Sequence, residues 1–202
     1  MLKRIRIMLW AACAVAALAL LSVGLLELTQ RADRVGALQG SGIGGPFKLA
    51  ATTGGVLSSD DLKGKPYLIF FGFTRCPEVC PTTLSDISTW LDALGPNGKE
   101  LKAYFISIDP ERDTIASMKD YLSSFTDQIV GLSGTPDEIA SVAKEFRVFY
   151  AKHPLKDGDY TMDHSAVIYL MDREGRLAGT LTYGDSKDDA VAKLRRLLAA
   201  AA

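Results

Sequence analysis

Cysteine, histidine and net charge are all scarce in this chain: three cysteines, two histidines and a formal net charge of −1 in 202 residues. Three unevenly placed cysteines are too few for a disulfide scaffold. Polybasic stretches are missing as well. Outside residues 1–28 there are 20 basic and 23 acidic residues, net −3, so the surface is mildly acidic and offers nothing to a nucleic acid. Internal repeats and low-complexity tracts are absent, and after Pro46 no linker-like stretch occurs. One domain is therefore expected over residues 46–202.

What is present begins with the first 28 residues. Met8 to Leu26 is an uncharged, almost wholly apolar run of 19 residues, preceded by Lys3, Arg4 and Arg6. As a helix it would reach about 28 Å, close to the hydrocarbon thickness of a bilayer. The basic residues precede the run, so the positive-inside rule keeps the N-terminus cytoplasmic and sends the remainder outward. No A-x-A-like cleavage site follows, since Glu27-Leu28-Thr29-Gln30 comes next. Residues 1–28 are thus expected to form a single-pass anchor held in the bilayer through residues 8–26. Cys13 lies inside this run as an inert thiol. Residues 29–45, polar and Gly-rich, read as a flexible linker.

From Pro46 the pattern alternates strands and helices. Phe47–Leu49 and Val56–Leu57 suggest a hairpin around Gly54-Gly55. The run YLIFFGF, Tyr67–Phe73, is apolar throughout, as in a strand buried on both faces. Leu84, Ile87, Leu91 and Leu94 follow helical spacing, stopped by Gly95-Pro96. A strand over Lys102–Ile108, a helix over Thr114–Phe125 and a short strand over Gln128–Leu132 come next. Thr135-Pro136-Asp137-Glu138 carries an N-cap, a proline at the first turn and a capping-box glutamate. Ser165–Met171 and Leu177–Tyr183 form a hairpin, and a last helix starts near Asp185. This order argues a thioredoxin-like three-layer α/β sandwich, with the N-terminal transmembrane helix appended.

Chemistry gathers in Phe73-Thr74-Arg75-Cys76-Pro77-Glu78-Val79-Cys80-Pro81, where the buried strand hands over to a helix. Pro81 fits the first helical position, which makes Cys80 the expected N-cap. Unsatisfied amides at a helix start stabilise a thiolate, which serves equally as nucleophile and metal ligand. Alone, the pair is a structural disulfide, a redox couple or a metal site. Thioredoxin-type reductases separate their cysteines by two residues and place a cis-proline before the facing strand. Here three residues intervene, and the strand is approached through Thr161-Met162-Asp163-His164. Two thiolates and an imidazole suit copper, above all Cu(I) in a three-coordinate S₂N site; zinc normally takes four ligands. His164 is distant in sequence, and the expected topology brings it to the cysteines. Taken singly it would be an ordinary loop polar residue. His153, before Pro154, reads as a solvent-loop residue, Asp109 as a cap for the following turn or helix, with orienting the site or meeting a partner as the lesser reading, and Met162 as packing under the loop rather than a ligand.

From about Gly44 to Leu198 the chain closely resembles the Sco/SenC family of copper-binding assembly factors of cytochrome c oxidase. The resemblance is carried by LKGKPYLIFFGFTRCPEVCP, ISIDPERDT, GTPDEIASVAKEFRVFY and YTMDHSAVIYLMDREGRL. It implies Cys76, Cys80 and His164 as ligands of one copper, as Cu(I) and also as Cu(II). Arg75 departs from the histidine that many members carry there, at a position outside the three ligands. The implied task is copper delivery to the CuA site of oxidase subunit II, with copper received from an upstream periplasmic donor. The same residues would serve a thiol–disulfide oxidoreductase that keeps the CuA cysteines reduced, or a copper or redox sensor. The implied location is the inner membrane with the domain facing the periplasm, or the mitochondrial intermembrane space in a eukaryote.

Overall fold

The computed structural model describes residues 42–156 and 158–200, together with Trp10 and Ser22. The chain divides after Gly40, and the fold is that of the second unit, Ser41–Ala202. The expected anchor over residues 8–26, Cys13 and most of the expected linker lie outside the described residues. Among the described residues, no helix is long and apolar enough to cross a membrane.

A seven-stranded sheet forms the centre, in the order β2-β1-β5-β4-β3-β8-β9. Its strands are β1 (Lys48–Ala51), β2 (Val56–Ser58), β3 (Tyr67–Gly72), β4 (Lys102–Ser107), β5 (Ile129–Ser133), β8 (Val167–Met171) and β9 (Leu177–Thr182). Every residue of β3 is buried, as its unbroken apolar run requires of a strand covered on both faces. It runs parallel to β4 from Tyr67↔Lys102 to Gly72↔Ser107, and antiparallel to β8 from Tyr67↔Met171 to Phe70↔Ile168.

Alternation along β3 sends Phe70 and Phe71 to opposite faces. On the Phe70 side lie Phe105 and, beyond it, Tyr121. Tyr121 belongs to α2 (Ile115–Leu122). Helix α1 (Val79–Ala93) covers the same side, with Cys80 against Gly72, and packs on α4 (Lys187–Ala199). On the other side Phe71 meets Phe146 at 5.5 Å and Tyr169 at 6.1 Å. Phe146 closes α3 (Pro136–Glu145), whose start is the expected capping box: Thr135 accepts from the Glu138 amide and Glu138 accepts from the Thr135 amide. Helices on both faces make the architecture a thioredoxin-like α/β sandwich.

Two local expectations are corrected. Helix α1 begins at Val79 with Glu78 as N-cap, not after Cys80. Pro81 is then the third helical residue, where the missing amide is still one that no helical carbonyl would have taken. Residues 150–154 and 160–164 are not loop: β6 (Tyr150–Pro154) and β7 (Tyr160–His164) form a separate two-stranded antiparallel sheet. His153 therefore stands on a strand, with Nε2 2.8 Å from Asp163 Oδ2. Within the expected linker, Gly44 donates its amide to the Glu145 carbonyl at 2.9 Å.

Candidate metal centre

Glutamate is a poor N-cap, and the Glu78 side chain makes no capping bond. The vacant role goes to a sulfur: Cys80 N donates to Cys76 Sγ at 3.4 Å. Cys76 thus sits over the amides of the first turn of α1, half-buried, while Cys80, within that turn, is fully buried against the C-terminal end of β3. The close seat of Cys80 depends on Gly72. A Cβ at that position would stand 2.8 Å from Cys80 Sγ and 2.7 Å from Phe105 Cε2.

The third group arrives on β7. His164 Nε2 lies 3.4 Å from Cys80 Sγ. Its Nδ1 is 3.1 Å from the Ser165 carbonyl. A carbonyl oxygen only accepts, so Nδ1 donates its proton there and Nε2 is the ring nitrogen that faces the sulfurs. The edges of Phe70 and Phe73, at 6.2 and 6.0 Å between ring centres, fix the plane of the imidazole. The two sulfurs and the ring nitrogen all lie within 4.8 Å of one another, close enough to hold one metal ion. The residues singled out in the sequence as ligands are brought together by the fold.

The two thiols are electrostatically unlike. Cys76 is held down to about 4, first by the hydrogen bond from the Cys80 thiol, then by His164 and the peptide groups of Cys80 and Glu78, against the opposing effect of burial. Cys80 is pushed strongly upward by its hydrogen bond to Cys76 and by burial. The one thiol proton of the pair is therefore held on Cys80, toward the Cys76 thiolate. A soft cation bound here would take that proton's place.

Arg75, beside the cysteine, reaches out to Asp159 at 3.4 Å, and Asp159 also takes Arg112 Nη1 at 3.0 Å. Asp109 is not a helix cap. Its buried carboxylate accepts from Tyr160 Oη at 2.7 Å and from Arg112 Nε. Met162 is buried and lines a cavity of about 390 Å³ with Ile108, Ile139 and Tyr150. Sequence reasoning overlooked Asp113, which is 1% exposed. It accepts from Thr74 N at 3.0 Å, Thr74 Oγ1 and Ser107 Oγ at 2.7 Å, and so anchors the cysteine loop. Standing just before the helix start at Thr114, it resembles any acidic residue of a helix N-terminus.

A family model described as SCO1/SenC matches residues 35–199. ScoI of Bradyrhizobium japonicum, solved with copper bound, is 54% identical; the alignment covers 77% of this chain and 99% of that one, with a TM-score of 0.72. The mitochondrial Protein SCO1 homolog 1 of Arabidopsis thaliana is 43% identical over 133 residues, 65% of this chain and 40% of the relative. Protein SCO2 of Saccharomyces cerevisiae, also mitochondrial, is 35% identical over 179 residues, 87% of this chain and 60% of the relative. The chain thus spans about half the length of these two curated relatives.

Proposed function

The chain belongs to the SCO1/SenC family, and on that footing we propose that it is a copper metallochaperone, carrying one copper ion on Cys76, Cys80 and His164 to the CuA site of cytochrome c oxidase subunit II. One observation carries this reading: the His164 imidazole, held through Nδ1 by the Ser165 carbonyl, turns Nε2 toward two sulfurs, all three ligand atoms lying within 4.8 Å of one another. Two thiolates and one nitrogen match the softness and low coordination number of Cu(I). A three-coordinate cargo leaves room for an incoming ligand, so copper passes by exchange of one ligand at a time. Cys76, the less buried sulfur, is the natural point of entry for an acceptor thiolate. The reading includes the membrane anchor over residues 8–26, a short tether, and a domain facing the periplasm or the intermembrane space, where an upstream donor supplies copper.

A second reading has its own observation. A thiolate at Cys76 beside a protonated, buried Cys80 is the asymmetry that a dithiol reductant uses. In that case the protein would reduce the CuA cysteines instead of delivering metal. Both readings are tested by mixing copper-loaded protein with apo subunit II, adding a one-electron oxidant to bring any filled centre to its mixed-valence form, and following CuA absorption. Formation without added copper or reductant supports delivery. Formation only when copper is supplied separately supports the reductase.

A further inference from the structure

The cysteines and the histidine sit on different parts of the fold, 84 residues apart between Cys80 and His164, and each part is tied to the same short loop. Asp113, buried, takes two hydrogen bonds from Thr74, two residues before Cys76. Asp109, equally buried, takes Tyr160 Oη, and Tyr160 opens the strand that ends at His164. Arg112 strengthens that second tie. Its Nη1 donates to the Tyr160 carbonyl at 2.7 Å, and its guanidinium lies 3.6 Å from the centre of the Tyr160 ring.

The two aspartates are themselves joined, the Asp113 carboxylate to the Asp109 backbone amide. Ser107, with no exposed surface, donates its hydroxyl to Asp113 Oδ2 at 2.7 Å and accepts the Asp109 amide at 3.0 Å. A continuous chain therefore runs Thr74–Asp113–Ser107–Asp109–Tyr160. Buried carboxylates with full sets of donors are rigid, because breaking one bond strands a charge in a poorly solvating interior. Neither aspartate hydrogen-bonds to a sulfur or to the imidazole; beyond the charge of Asp113, which helps to keep Cys80 protonated, what they set is spacing.

We infer that Asp113 and Asp109 are positioning residues which, linked through Ser107, hold the cysteine loop and the histidine strand at the separation that one metal ion requires. This rests on the copper reading for its purpose, but not for its test in the metal-free protein. Movement of either tie changes the distance between Cys80 Sγ and His164 Nε2, and with it both the reactivity of Cys76 and the fit of the cargo.

The experiment is a double-mutant cycle on the full chain, Asp113→Asn against Tyr160→Phe, with and without Ser107→Ala. Three quantities are read: the alkylation rate of Cys76 against pH without metal, Cu(I) affinity by competition with a chromophoric chelator, and Tm. Each single substitution is expected to shift the Cys76 profile and weaken Cu(I) by about tenfold. Together they should be non-additive, and Ser107→Ala should remove the non-additivity. Should Asp113→Asn not fold, Thr74→Val breaks the same tie from the other end and takes its place. Additive effects, or losses of Tm with an unchanged Cys76 profile, would overturn the inference. A shifted metal-free profile in a protein that binds no copper would leave the positioning role standing and remove the copper reading instead.

Discussion

Cys80 Sγ and His164 Nε2 stand 3.4 Å apart beyond the C-terminal end of β3, and the Ser165 carbonyl holds the other nitrogen of the ring at 3.1 Å. Since that carbonyl takes Nδ1–H, Nε2 is the nitrogen left to face the sulfurs. Of the two thiols, Cys80 is the one that keeps its proton and must lose it to a metal ion.

Cu(I) uptake should release close to one proton per ion at pH 7–8. Cys76, lowered to about 4, is already a thiolate there, whereas Cys80, raised, must give up its proton. As pH falls through about 4, Cys76 also becomes protonated, so release climbs toward two and affinity drops more steeply. Calorimetry in buffers of different ionisation enthalpy measures the number. Two protons at pH 7–8 would mean that Cys76 is an ordinary thiol.

Gly72→Ala should damage both stability and the site. The new methyl meets Cys80 Sγ and Phe105 inside normal contact distance, and overpacking of this kind costs about 1–3 kcal/mol. Gly131→Ala is the control. It is as tight against Leu122 and Thr52 and lies away from the sulfurs, so it should lower Tm while leaving copper affinity unchanged. Equal affinity losses in both would show that the effect is general unfolding.

Thr135→Ala removes the hydroxyl that caps α3. It should cost about 1 kcal/mol in denaturant unfolding and leave the copper absorption spectrum as it is. A changed spectrum would mean that α3 is coupled to the site more closely than the hydrogen bonds show.

Much of this was legible in the chain itself. YLIFFGF announced a doubly covered strand because burial on both faces leaves no polar alternation, and the Thr135–Glu138 box marked a helix start through local bonds alone. That Cys76, Cys80 and His164 meet in space was readable from residue chemistry and the expected topology. The β6–β7 hairpin was not. Lys152, His153 and Pro154 are all exposed, so the strand carries no apolar signal, and proline is tolerated there because the strand lies at an edge. The start of α1 was misplaced because Pro81 is as acceptable at the third helical position as at the first. Asp109 and Asp113 were opaque for another reason. Their partners, Tyr160 and Thr74, lie 51 and 39 residues away, and no local pattern reports such a pairing.

The central claim is that His164 is needed to hold copper and not to move electrons, and His164→Ala tests it most directly. Thiol–disulfide exchange requires two sulfurs and a suitable thiolate, whereas the cargo site requires the nitrogen. In one preparation of the variant, the measurement follows CuA formation in apo subunit II at limiting copper, beside reversible oxidation of Cys76 and Cys80. The account predicts that copper transfer is lost while the disulfide still forms and is still reduced. If His164→Ala fills CuA as well as the unmodified protein at limiting copper, delivery through Cys76, Cys80 and His164 is contradicted.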